Sequence, residues 1–121
     1  MSRILRTRHV LAVQDLQASK RYYIDVLGFA VDIEPQGWAF LKRDSCLLML
    51  GECPDSAAAG ELGNHSYFAY CEVQGVDAYY EAVVAAGGAT LSEPQDTAWG
   101  MREFGVRTLD GHRILFGESK A

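Results

Sequence analysis

The strongest constraint on this chain is a repeat. Within 121 residues the order apolar strand, amphipathic helix, glycine occurs twice, at a spacing of 60 residues. Val13 aligns with Val73, Leu16 with Val76, Tyr23 with Val83 and Gly28 with Gly88. Both copies also end alike, as Gly51-Glu52 and Gly117-Glu118. One supersecondary unit of this size cannot bury its own apolar face, so the copies must pack together or against a partner chain.

The local pattern assigns elements to each copy. Arg6 to Val13 reads as a strand, and Asp15 stands where a side-chain oxygen caps a helix. Leu16, Ser19, Tyr23 and Leu27 recur at three- and four-residue steps, which predicts an amphipathic helix ended by a left-handed Gly28. Phe29 to Ile33, Trp38 to Lys42 and Cys46 to Leu50 follow as short strands separated by turn residues. The second copy runs through Phe68 to Val73, a helix over Val76 to Ala86, then Ala89 to Leu91, Met101 to Arg107 and His112 to Phe116. The expectation is a single α+β domain over 1–121 with two βαβββ modules, at 6–52 and 65–118. An Ala-, Gly-, Pro- and Asp-rich linker at 53–64 joins them. If each helix covers the convex face of its curved mixed sheet, the concave faces are left to meet around a cleft, the usual place for a small ligand.

Composition removes several alternatives. At 49% hydrophobic and 22% charged residues the chain is an ordinary globular one. No apolar stretch approaches the roughly 20 residues that cross a bilayer. Met1 to Val10 carries three arginines and no apolar signal core, so a cytoplasmic protein without membrane partners is expected. A net charge of −5 argues against a nucleic-acid partner. Cys46, Cys53 and Cys71 lack zinc or redox spacing and read as buried apolar thiols.

The segments HVLAVQDLQASKRYYIDVLGF at 9–29 and WGMREFGVRTLDGHRILFGE at 99–118 resemble the vicinal oxygen chelate superfamily. That group contains glyoxalases, bleomycin-resistance proteins, fosfomycin-resistance enzymes and extradiol dioxygenases. The resemblance implies the paired βαβββ fold, assembled as a homodimer whose clefts draw on both chains. In metal-dependent members it also implies His, Glu or Gln on the first and last strands of each module, around an open divalent site. Counted on the family pattern, those positions here are Arg8, Met49, Phe68 and Leu115. None suits a hard or borderline divalent ion. His9, one residue off, should face the helix side, since a single step reverses the strand face, unless a bulge turns it back. His65 is expected at the surface and His112 in an exposed turn. Glu52 and Glu118 fall on the face opposite the ligand positions.

No metal, cofactor or catalytic residue is therefore expected. The predicted ligand-binding residues are Arg8, Trp38, Phe40, Met49, Phe68, Tyr70, Trp99, Met101, Arg102 and Leu115. Trp38 and Trp99, each beside a glycine, read as related places in the repeat, and broad aromatic faces suit a flat ligand. The segment GWAFLKRDSCLLML and the later Trp99-Gly100 resemble the metal-free bleomycin-resistance-like subgroup. That resemblance implies a small-molecule binding protein that sequesters an aromatic or amphipathic ligand. The alternative is a metal-dependent lyase, isomerase or dioxygenase of the same superfamily.

Overall fold

A computed structural model describes residues 1–121. Its elements are β1 (His9–Val13), α1 (Leu16–Asp25), β2 (Ala30–Ile33), β3 (Trp38–Arg43) and β4 (Cys46–Glu52), then a 3-10 stretch (Ala59–Ser66). The second module follows with β5 (Tyr67–Glu72), α2 (Val76–Ala85), β6 (Ala89–Thr90), β7 (Gln95–Asp96), β8 (Met101–Arg107) and β9 (Arg113–Ser119). The first sheet has the order β1-β4-β3-β2 and the second β5-β9-β8-β6, with β7 paired to β8. In each sheet the first and last strands of the module run parallel and the other pairs antiparallel. This is the mixed α+β arrangement expected. The second module carries one strand more than its sequence pattern indicates, because Gln95 and Asp96 pair with Glu103 and Arg102. The first strand begins at His9 and not at Arg6, since its partner β4 meets it only from Leu48 onward.

Strand alternation decides what is buried. Leu48 and Leu50 on β4, and Ile114 and Phe116 on β9, point towards the helices and are buried. With Leu11, Val13, Leu41, Phe104 and Val106 from the sheets, and Leu16, Tyr23, Val76 and Val83 from the helices, they join one core of 16 residues drawn from both modules. Full burial of side chains this size stabilises by roughly 1.5–3 kcal/mol each.

The shared Gly-Glu ending has a structural reason. The Glu52 carboxylate accepts the Leu16 N–H at 3.2 Å, beside the Asp15 cap that accepts the Ala18 N–H at 3.1 Å. α2 starts from Gly75, which has no side chain, and Glu118 on β9 supplies the missing acceptor to the N–H groups of Gly75 at 2.9 Å and Val76 at 3.1 Å. Each carboxylate meets the free N–H groups and the positive end of a helix. Those two backbone donors hold the Glu118 carboxyl below its ordinary range. The expected placing of both glutamates on the helix side is thus seen directly.

The modules are tied through helix sides and turns. Tyr79 Oη and Arg43 Nη1 both donate to the Leu27 carbonyl, at 2.8 and 2.6 Å, and the Arg43 guanidinium lies 4.4 Å from the Tyr79 ring centroid. Asp110 accepts the Gln14 N–H at 3.0 Å and the Ser19 hydroxyl. Gly88 permits close approach, because a Cβ there would lie 2.8 Å from Val26 Cγ1 and 2.5 Å from Val83 Cγ1. No helix is long and apolar enough to cross a membrane.

Candidate functional site

The face of each sheet opposite its helix carries the candidate residues, in two separate groups. On the first sheet, Val10 pairs with Met49 and Met49 with Phe40, while Trp38 pairs with Gly51. A Cβ on Gly51 would lie 3.0 Å from the Trp38 ring, so the glycine lets the indole lie flat on the sheet. Arg8 precedes β1 and closes this group, its guanidinium 5.5 Å from the Phe40 centroid and 3.5 Å from the Asp32 carboxylate. On the second sheet, Tyr70 pairs with Leu115, and its ring crosses Gly117, where no Cβ could fit. Tyr70 Oη donates to Glu103 at 2.7 Å. Partial desolvation and the Glu103 carboxylate push the Tyr70 phenol up to about 12, so it remains a donor at neutral pH. Met101 lies at the end of the same face, paired with Ser119.

No hydrogen bond, ion pair or ring contact joins one concave face to the other. The cleft expected between them is not closed by one chain, which instead buries its helix-side faces together. The concave faces stay open, with Val10 63%, Ile33 54%, Tyr70 43% and Tyr67 41% exposed. A cavity of about 370 Å³ lined by Tyr67, Phe68, Ala69, Tyr70 and Leu115 lies on the second of them. A larger one, about 990 Å³, opens at the module boundary between β5, the β3–β4 turn and His9.

Several expectations need correction. β5 carries a bulge between Tyr67 and Ala69, so Tyr67 and not Phe68 stands opposite Arg113 on the concave side. The Arg113 guanidinium lies 5.1 Å from the Tyr67 ring. Phe68 is turned to the helix side, edge-on to His9 at 5.7 Å and to His112 at 5.9 Å. His9 therefore faces the helix side, as strand parity requires, with no bulge on β1. His112 is buried, not exposed, and burial lowers its pKa below the ordinary 6.5. His65 is exposed as expected. Arg102 also points to the helix side, where Asp77 and Asp96 each hold it at 3.0 Å. Trp99 is 70% exposed in the turn before β8 and is not the counterpart of Trp38. The register places Glu103 opposite Gly117 as Trp38 stands opposite Gly51. Cys46, Cys53 and Cys71 are only partly buried.

The family's metal positions thus hold Arg8, Met49, Leu115 and, once the bulge is counted, Tyr67. A guanidinium, a thioether, a hydrocarbon and a phenol do not compose a shell for a hard or borderline divalent ion. No three His, Cys, Asp or Glu side chains converge as a metal site requires. A metal of the family's kind does not fit these residues.

Two modules built on the βαβββ plan, the second with one added strand, each with its first and last strands paired in parallel, share a helix-side core and leave their concave faces open, a paired-module ligand-binding architecture. The chain belongs to the Glyoxalase/Bleomycin resistance protein/Dioxygenase superfamily, whose family model matches residues 4–116. Among solved structures it is similar to the bleomycin-binding protein of bleomycin-producing Streptomyces verticillus, complexed with copper(II)-bleomycin. The two are 25% identical with a TM-score of 0.74, covering 96% of this chain and 97% of that one. It is also similar to TioX from Micromonospora sp. ML1, at 24% identity and TM-score 0.78 over 94% of this chain and 98% of that one. TnmS3, an antibiotic binding protein from Streptomyces sp. CB03234, is 20% identical with a TM-score of 0.78, covering 98% of each chain. A search among curated proteins found no match.

Proposed function

We propose that this protein binds an aromatic or amphipathic small molecule without metal and without turning it over, as a homodimer whose clefts pair one chain's first concave face with the other's second. The observation that carries this reading is the chemistry of the open faces. Where metal-dependent members need imidazole and carboxylate, this chain offers Arg8, Met49, Tyr67 and Leu115. Trp38 and Tyr70 are laid flat over glycines on either side. Aromatic stacking adds roughly 0.5–1.5 kcal/mol per ring beyond area burial, so two such rings can hold a flat ligand between them. Exposed Val10, Ile33 and Tyr70 give both faces apolar surface that a second copy would cover. The bleomycin-binding and antibiotic-binding proteins of the same fold support a ligand of antibiotic size.

Two measurements test the reading. Light scattering should report a dimer. Titration of planar antibiotics, copper(II)-bleomycin among them, should quench tryptophan emission in protein that elemental analysis finds free of stoichiometric metal. Trp38→Ala and Tyr70→Ala should each weaken binding by about 2- to 10-fold, the stacking energy expressed as an affinity ratio. A divalent metal required for binding, or affinities unchanged in both variants, would overturn the proposal.

A further inference from the structure

Cys46 opens β4 in the first module and Cys71 lies on β5 in the second, yet both line the 990 Å³ cavity at the module boundary, together with His9, Arg43 and Tyr79. Both thiols project to the side where the modules meet, Cys46 on the same face of β4 as Leu48 and Leu50 and Cys71 opposite Phe116 on β9. Both are partly exposed and unbonded, and both pack against the common core, which fixes their backbones. β5 is an edge strand, so one side of the Cys71 strand has no neighbouring strand. With no third His, Cys, Asp or Glu converging on the pair, a zinc-type site is not formed. Two free thiols from different modules that open onto one cavity have instead the arrangement for thiol–disulfide exchange.

We propose that Cys46 and Cys71 form a reversible modification site, closed into an inter-module disulfide by exchange with a small oxidised disulfide such as glutathione disulfide. The Cys71 thiolate attacks one sulfur of the small disulfide, whose S–S bond breaks and releases one thiolate. Cys46 then loses its proton and attacks the Cys71 sulfur of the mixed disulfide, displacing the second thiolate. The two protons given up by the cysteines end on the two released thiols. The protein loses two electrons and two protons, and the small disulfide is reduced to two thiols. Cys71 is the better first nucleophile because the neighbouring Cys46 thiol lowers its pKa, while Cys71 and burial raise that of Cys46. Such a bond would join β4 to β5, close to the Arg43–Tyr79–Leu27 tie. Cys53 does not line the cavity and serves as an internal control.

The test uses the full chain, incubated with glutathione disulfide, alkylated and read by intact mass and peptide mapping. The expected product has lost two hydrogens, contains a Cys46–Cys71 linked peptide and leaves Cys53 alkylated. Its thermal midpoint should rise by several degrees over the reduced chain and return with dithiothreitol, because the cross-link restricts the unfolded chain. Cys53→Ser should behave as the parent does. Cys46→Ser and Cys71→Ser should instead stop at a mixed disulfide on the remaining thiol, with no rise in midpoint. A wild-type product that stays a glutathione adduct, or a cross-link through Cys53 or between chains, would overturn the proposal. The mapping of the unsubstituted chain decides this even if a serine variant folds poorly.

Discussion

Opposite Leu50 the first module places Ala39, and the next residue on that strand, Phe40, lies on the concave face. In the second module Phe104 stands opposite Phe116, and the next residue is Gly105. The same two backbone positions have exchanged bulk between their faces. On its helix side the first sheet therefore presents aliphatic residues at β3 and β4, Ala39, Leu41, Leu48 and Leu50, and on its concave side an aromatic ridge of Trp38 and Phe40, their rings 6.2 Å apart. The second sheet puts the rings of Phe104 and Phe116 on its helix side, with Tyr79 4.9 Å from Phe116 and Tyr80 5.3 Å from Phe104. Its concave face is lower, with glycines at 105 and 117 covered by Leu91, Leu115 and Tyr70. The repeat thus keeps a backbone plan while the two concave faces come to differ in relief. In the proposed dimer, the aromatic ridge of one chain would meet the lower face of the other.

The largest effect should come from the cores. Phe116→Ala is expected to destabilise by about 3–5 kcal/mol and Leu50→Ala by about 2–5 kcal/mol, the aromatic deletion leaving the larger cavity. Because both residues belong to one core, urea unfolding followed by circular dichroism and by tryptophan emission should show one coincident transition in each variant. Two separate transitions would break the claim that the modules stand or fall together.

Next come the paired glycines. Gly28→Ala should cost about 1–2 kcal/mol, since φ is +81° there and an L side chain is strained in that region. Gly88→Ala should cost about 1–3 kcal/mol for a different reason, the collision with Val26 and Val83. Trimming the neighbour separates the two causes. Val26→Ala should recover part of the Gly88→Ala loss in a double-mutant cycle and none of the Gly28→Ala loss.

The backbone plan was legible because its determinants are local. Leu16, Ser19 and Tyr23 repeat at helical spacing, Asp15 caps, and Gly28 takes the left-handed conformation. The candidate site was legible only where strand parity holds. Met49 on β4 and Leu115 on β9 follow it, whereas the bulge in β5 depends on pairing with β9 and leaves no mark around Tyr67 and Phe68. The glycine-tryptophan echo misled for a related reason. Extra residues carrying β7 shift the second module's later strands, so Trp99 falls in a turn and Glu103 takes the place matching Trp38. Arg102 turns away from the concave face because the fold brings Asp77 of α2 and Asp96 of β7 to it, partners 25 and 6 residues away in the chain. The shared cavity of Cys46 and Cys71 joins residues of different modules and has no sequence signature.

The smallest effects distinguish how the two helices begin. Asp15→Ala removes a local cap and should cost about 1 kcal/mol. α2 depends instead on Glu118 from β9, and there the dependence on pH is informative. The folded chain holds this carboxyl below its ordinary 4.5, so the unfolded chain takes up the proton first. The stabilisation is fully present above pH 4.5 and is lost as the pH falls through the lower folded value. His112, with its pKa lowered by burial, also weakens the fold on acidification, but its loss begins below pH 6.5 and is common to wild type and to Glu118→Gln. The urea midpoints of the two proteins should therefore run parallel between neutral pH and about 5 and converge as the pH drops further, because only the wild type has a charge to lose at this helix start. Midpoints that stay parallel down to acid pH would mean that Glu118 caps α2 no more strongly when charged than a neutral amide does.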